Sequence, residues 1–211
     1  MLVWLAMTLR CGFAVEAGSQ DQDRVAVIPV LGDHVLVLAD GAGGRAGGRE
    51  AAEALVRFVR AAARALVEGE RDPCEVLTSA DAALAAEPRA GETTAVVAVV
   101  SGAEVRGASV GDSGAWQVSG DGVRDLTRAQ VRKPLLGSGA ATPVAFGPVP
   151  LVGRLLLASD GLLKYAPPER IERAALTLPP DRAAWDLIET VRYPSGGLPD
   201  DVAVILCELG G

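Results

Sequence analysis

Residues 34–44 read HVLVLADGAGG: an apolar run, an aspartate at its end, and then glycines 41, 43 and 44. The run is too short for a helix and suits a β-strand. A strand end is a rigid place from which to aim the carboxylate of Asp40, and Gly41 behind it lets backbone and water come close. The same stretch also offers Gly41-x-Gly43-x-x-Ala46, the glycine spacing of a dinucleotide-binding turn. That reading requires a second strand ending in an acidic residue about twenty residues on. The chain is still in a helical pattern there, from Arg60 to Leu66, so the dinucleotide reading fails.

Outward from this stretch, apolar periodicity predicts strands at 9–15, 24–30, 34–39, 94–100, 104–110, 113–118, 154–159 and 202–209. It predicts helices at 47–68, 74–87, 168–176 and 181–192. Ser101-Gly102 and Gly111-Asp112 read as hairpin links between successive strands, which implies antiparallel sheets and not alternating βαβ units. Residues 128–150, rich in Gly and Pro and without periodicity, read as a long surface loop.

Asp40 has two counterparts. Asp160 ends RLLLASD and precedes Gly161, and Asp200 stands just before the apolar run VAVIL. Singly, an Asp-Gly pair is a routine turn. Together, three carboxylates at strand ends are what hard divalent cations require, and two such cations about 4 Å apart can clamp a phosphoryl oxygen and activate water. Gly111-Asp112-Ser113-Gly114 also has the look of a serine-protease nucleophile loop. The sole histidine, His34, opens an apolar strand and lacks the surroundings of a catalytic base.

Further blocks recur in a fixed order: Gln22-Asp23-Arg24, ADGAGG at 39–44, GETTA at 91–95, SVGDSGA at 109–115, LLASDGL at 156–162 and DDVAVI at 200–205. Their order and wording resemble the PPM-type (type 2C) metal-dependent protein serine/threonine phosphatases over nearly the whole chain. The resemblance implies an α+β fold, a four-layer α-β-β-α sandwich of two antiparallel sheets flanked by helices. It implies two divalent metal ions, Mg²⁺ or Mn²⁺, and hydrolysis of phosphoserine or phosphothreonine by a water that bridges them. Carried over by motif, Asp40 bridges both metals and Gly41 offers its carbonyl. Asp160 and Asp200 hold the first metal, Asp23 acts through water at the second, and Asp112 belongs to a weaker third site. The implied partner is a phosphorylated protein, opposing a Ser/Thr kinase.

The chain departs from the family pattern in places. Where members carry a phosphate-gripping arginine shortly before the first acidic residue, this chain has Gly18, and Arg45 is the candidate substitute by proximity alone. One turn after Asp160, where many members place an aspartate for the third metal, stands Lys164, whose charge argues against the usual occupancy. Position 42 is alanine and not histidine. These losses motivate an alternative reading, a phosphatase-like domain that senses or binds without turnover.

Composition sets the outer bounds. A length of 211 residues, 49% hydrophobic with mean hydropathy +0.27, suits one domain spanning 1–211. A net charge of −7 argues against a nucleic-acid partner, and local arginine groupings on helical patterns read as solvated faces. Cys11, Cys74 and Cys207 are odd in number and far apart, so no disulfide or zinc site is expected and a reducing cytoplasm fits. The opening MLVWLAM lacks a basic start and a cleavage site, and no apolar run is long enough to span a membrane.

Overall fold

The computed structural model describes residues 8–42, 47–87 and 89–210. In chain order the elements are β1 (Thr8–Glu16), β2 (Arg24–Val30), β3 (Asp33–Ala39), β4 (Gly41–Ala42), α1 (Gly48–Val67) and α2 (Pro73–Ala85). Next come β5 (Glu92–Thr93), β6 (Ala95–Ser101), β7 (Glu104–Val110), β8 (Gly114–Ser119), β9 (Gly122–Asp125) and β10 (Val144–Pro150). The remainder is β11 (Arg154–Ala158), α3 (Asp160–Leu163), α4 (Pro168–Thr177), α5 (Pro180–Glu189) and β12 (Val202–Gly210).

The apolar run of 34–39 is continuous because β3 is buried on both faces. Val35, Val37 and Ala39 pack under α1 and α2, whereas Leu36 and Leu38 face the opposite sheet. β6 and β12 repeat this division: Val96 and Ile205 point between the sheets, and Val97 and Val204 point at helices. One five-stranded sheet runs β1-β12-β11-β8-β9 and the other β10-β7-β6-β3-β2, with antiparallel pairing throughout. The second sheet lies under α1 and α2, and the first under α4 and α5. The four-layer α-β-β-α sandwich expected from the motifs is therefore the fold.

Three expectations need correction. Gly111-Asp112 is no hairpin: β7 and β8 lie in different sheets, so this link crosses the sandwich. The supposed loop 128–150 ends in a strand, β10, at the outer edge of its sheet. Pro148 and Pro150 are tolerated there because an edge strand needs no N–H on its open side, and the register with β7 shifts between Phe146 and Val149. Finally, Cys11 and Cys207 form a disulfide, being direct partners across the β1–β12 ladder. Distance along the chain had hidden a pairing that the sheet creates, and the cysteines no longer argue for a reducing compartment. No helix among the described residues is long and apolar enough to cross a membrane.

Candidate active site

Sheet topology brings distant aspartates to one end of the sandwich. Asp40 follows β3, Asp160 follows β11, Asp200 precedes β12, and Asp112 sits where the chain crosses from β7 to β8. All four line a single cavity of about 520 Å³ with Gly41, and Arg132 and Lys133 form part of its wall.

Each carboxylate is aimed by its backbone. The Asp40 N–H donates to Thr94 Oγ1 (3.1 Å), while its carbonyl accepts from the Thr94 N–H (2.8 Å) and the Thr93 hydroxyl (3.0 Å). Thr94 Oγ1 in turn meets Ser113 Oγ at 2.7 Å, next to Asp112. The two threonines of GETTA thus act as a clamp on Asp40. Ser159 exchanges two bonds with Ala203: its N–H donates to the Ala203 carbonyl at 3.0 Å, and its Oγ accepts from the Ala203 N–H at 2.9 Å. This ties the Asp160 turn to the Asp200 turn. Gly41 is required because a Cβ there would stand 2.3 Å from the Gly48 carbonyl oxygen, which lets α1 abut the site.

Beside Asp200, Asp201 organises the β1–β2 connection. Its Oδ1 accepts from the N–H groups of Gly18 (2.8 Å), Ser19 (3.1 Å) and Gln20 (3.2 Å), and its Oδ2 from that of Gln22 (2.7 Å). Burial pushes the Asp201 carboxyl up, but these four donors outweigh it and hold the pKa below the ordinary value. The wrapped turn delivers Asp23, which is 1% exposed. Neither Asp23 oxygen has a hydrogen-bond partner in bonding geometry, although Ser159 and Asp40 lie close enough to bear on its charge.

The electrostatics follow from crowding. Burial, and then repulsion from Asp23 and Asp160, pushes the Asp40 pKa up to about 9. Burial raises Asp23 to about 7, with the charges of Asp201 and Asp160 adding to it. Asp160 is raised by burial and by Asp112 and Asp200, and Lys164 and Arg132 counteract this. Buried carboxylates that suppress one another's ionisation, with an unpartnered acid beneath them, suit a hard divalent cation with oxygen ligands. Among the described residues no three acidic, His or Cys side chains already converge into a coordination sphere. A cation here would complete its shell with water and the Gly41 carbonyl, as Mg²⁺ habitually does.

The structure gathers Asp40, Gly41, Asp112, Asp160 and Asp200 around one cavity and buries Asp23 beside Asp40. Arg45 lies outside the described residues. Lys164 does not line the cavity, and its Nζ sits 5.2 Å from the centroid of the Tyr165 ring. His34 is the second residue of β3, roughly 20 Å of strand away from Asp40. Sequence reasoning missed Arg132 and Lys133, which belong to no motif. Their loop is fixed by Asp81 of α2, which accepts N–H bonds from Gly137, Gly139 and Ala141, and by Gln130, which donates to the Ser113 carbonyl. No local pattern signals this, because Asp81 and Gly137 are 56 residues apart. Gly18 is no simple deletion of an arginine either: a Cβ there would stand 2.3 Å from the Asp200 carbonyl oxygen.

Among solved structures, a bacterial serine phosphatase superposes with TM-score 0.82 at 20% identity, covering 95% of this chain and 98% of its own. Serine/threonine phosphatase Stp1 from Staphylococcus aureus gives 0.81 at 20% identity, covering 100% and 99%. The catalytic domain of serine threonine protein phosphatase PstP, in complex with two manganese ions, gives 0.76 at 22%, covering 97% and 100%. No curated protein matches the sequence. Residues 32–210 match the family described as stage II sporulation protein E (SpoIIE). The resemblance drawn from the motifs holds: the chain belongs to the SpoIIE family and carries the fold of the PPM-type phosphatases.

Proposed function

We propose that the aspartate-lined cavity hydrolyses phosphoserine and phosphothreonine in proteins, with two divalent cations, Mg²⁺ or Mn²⁺, as cofactors. The observation that carries the reading is the convergence of Asp40, Asp160 and Asp200 on one cavity with the unpartnered carboxylate of Asp23 buried alongside. Asp40 would serve both cations and Gly41 would offer its carbonyl, with Asp160 and Asp200 serving the first and Asp23 the second through water. Asp112 would serve a weaker third. When bound, the cations supply Lewis acidity toward a phosphoryl oxygen and lower the pKa of water, the chemistry of direct hydrolysis.

The chain's own groups do the rest. The Thr93–Thr94 clamp and the Ser159–Ala203 pair hold the carboxylates in place before substrate arrives, which minimises reorganisation during reaction. Arg132 and Lys133 bring positive charge to the cavity wall, and a guanidinium can grip two phosphate oxygens at once. They supply what Gly18 cannot. The reading fits a phosphoprotein partner made by a Ser/Thr kinase and a role in signalling. It includes no nucleic-acid or membrane partner, in keeping with the net charge of −7.

Purified protein offered p-nitrophenyl phosphate and a phosphothreonine peptide with Mn²⁺ should turn both over, and Asp40→Asn should not. Metal-dependent turnover no greater than that of the variant would sink the proposal. Asp160→Ala should abolish activity and Asp112→Ala only reduce it.

A further inference from the structure

The segment 123–133, VRDLTRAQVRK, places four cations within ten residues of a chain whose net charge is −7. It is not a helix: Arg124 lies on β9, and Arg128, Arg132 and Lys133 follow in the connection to β10. All four are exposed, and among the described residues none of their side chains makes a hydrogen bond or ion pair. Elsewhere Arg24, Arg64, Arg154 and Arg192 are each tied to a glutamate, and Arg57, Arg60, Arg170, Arg173 and Arg182, likewise without a side-chain partner among the described residues, stand on helices. A solvated helix face does not explain unpaired cations lined up along irregular backbone.

Their placement is continuous. An outer cavity of about 560 Å³ opens between β9 and β10 and is lined by Arg124 and Arg128. A middle cavity of about 240 Å³ shares Arg128 with it and adds Arg132, with Trp116 and Leu163 contributing apolar wall. Arg132 and Asp112 then pass on into the aspartate-lined cavity. The outer part contains one carboxylate, Asp125, whose Oδ1 is already engaged by the N–H and hydroxyl of Thr127 at 2.8 Å each. The three cavities adjoin one another through these shared residues, with Arg124 and Arg128 at the outer end, Asp125 between, and the cluster of aspartates at the inner end.

We propose that this groove docks an acidic stretch of the phosphoprotein substrate, with the phosphorylated residue in the central cavity and flanking Asp or Glu side chains against Arg128 and Arg124. The inference rests on the phosphatase reading and adds a substrate class to it. Exposed ion pairs are individually weak, about two- to fivefold each, so two contacts give a preference of about tenfold, and salt screens it.

The test uses phosphothreonine peptides carrying three Glu on the N-terminal side, three Glu on the C-terminal side, or Gln in their place. Turnover with Mn²⁺ is compared with that of p-nitrophenyl phosphate, which is too small to reach the groove. Binding to the full chain in EDTA is followed in parallel by fluorescence polarisation. One Glu peptide should exceed its Gln counterpart about tenfold in kcat/KM, through KM, and in affinity. In Arg124→Ser/Arg128→Ser the margin should fall to about twofold while p-nitrophenyl phosphate turnover is unchanged, and 0.5 M salt should narrow the wild-type margin likewise. A wild-type margin below twofold for both Glu peptides, or one that survives the double substitution, overturns the docking proposal. If p-nitrophenyl phosphate is not turned over, the phosphatase reading falls, and the polarisation arm still decides the groove. A single-stranded oligonucleotide of equal charge that competes better than the Glu peptide overturns the assignment to an acidic protein segment.

Discussion

Replacing Asp201 with asparagine tests how the site is held together. The wild-type carboxylate accepts four backbone N–H groups, three on Oδ1 and one on Oδ2. Asparagine has the same shape but only one accepting oxygen. If that oxygen keeps Gly18, Ser19 and Gln20, the amide NH₂ faces the Gln22 N–H, donor against donor. Hydrogen bonds to a charged group contribute about 1.5–3 kcal/mol each, and a buried N–H left without an acceptor costs about 1–3 kcal/mol. Three donors sharing one oxygen are individually weaker, so the expected loss is about 3 kcal/mol. For a chain of this size that lowers Tm by about 9 °C. The effect has a pH signature. Because the native pKa lies below the ordinary 3.8, the stabilisation is present above that value and is lost as pH falls through the native one. The gap between wild type and variant should therefore be constant near neutrality and close below about pH 4. Urea unfolding and thermal melts across pH measure it. A variant within about 0.5 kcal/mol of wild type at neutral pH, with an unchanged m-value, would refute the reasoning.

Other expectations are independent of that one. Gly18→Ala should destabilise the protein by about 1–3 kcal/mol, and Gly18→Arg by more, because a Cβ meets the Asp200 carbonyl at 2.3 Å; tighter phosphate binding by Gly18→Arg would contradict this packing. Thr94→Val removes the hydroxyl that receives the Asp40 N–H and touches Ser113. It should lower kcat about ten- to a hundredfold with little change in circular dichroism, and full activity would show that the clamp is dispensable. In EDTA, native Asp40 keeps its proton up to about 9 while the unfolded chain releases it near 3.8. Metal-free Tm should therefore fall as pH rises between those values, Asp40→Asn should flatten the slope, and added Mn²⁺ should protect most at the alkaline end. A metal-free Tm that climbs with pH would count against the crowded-carboxylate account.

Much of this was legible in the residues because strand ends carry the site. HVLVLAD and RLLLASD announce both the strand and the acid that it aims, and the ordered blocks supplied the two-sheet sandwich. What stayed hidden depends on contacts between distant segments. Cys11 and Cys207 become neighbours only when β1 and β12 pair. Asp201 carried no reading of its own in the sequence, yet it collects the N–H groups of the β1–β2 turn. The Gly111-Asp112 link has hairpin wording, but the strands on either side join different sheets, a choice made by packing and not by turn chemistry. β10 was masked by prolines that an edge strand accepts. Arg132 and Lys133 had no motif because their place is set by Asp81, which anchors the loop from outside it, and by Gln130, which ties it to Ser113.

The position of β12 between β1 and β11 has a consequence for how the chain comes to be active. β1 leaves the ribosome well before its hydrogen-bonding partner, and the cysteines joining them are 196 residues apart. Until then an apolar edge stands open, a template for aggregation and a reason for slow, high-contact-order folding. Asp200 enters with the same strand, and Asp201 gathers the turn that delivers Asp23. Closing the sheet and completing the carboxylate set are thus one event. Until β12 pairs, the aspartate-lined cavity lacks both Asp200 and the turn that carries Asp23.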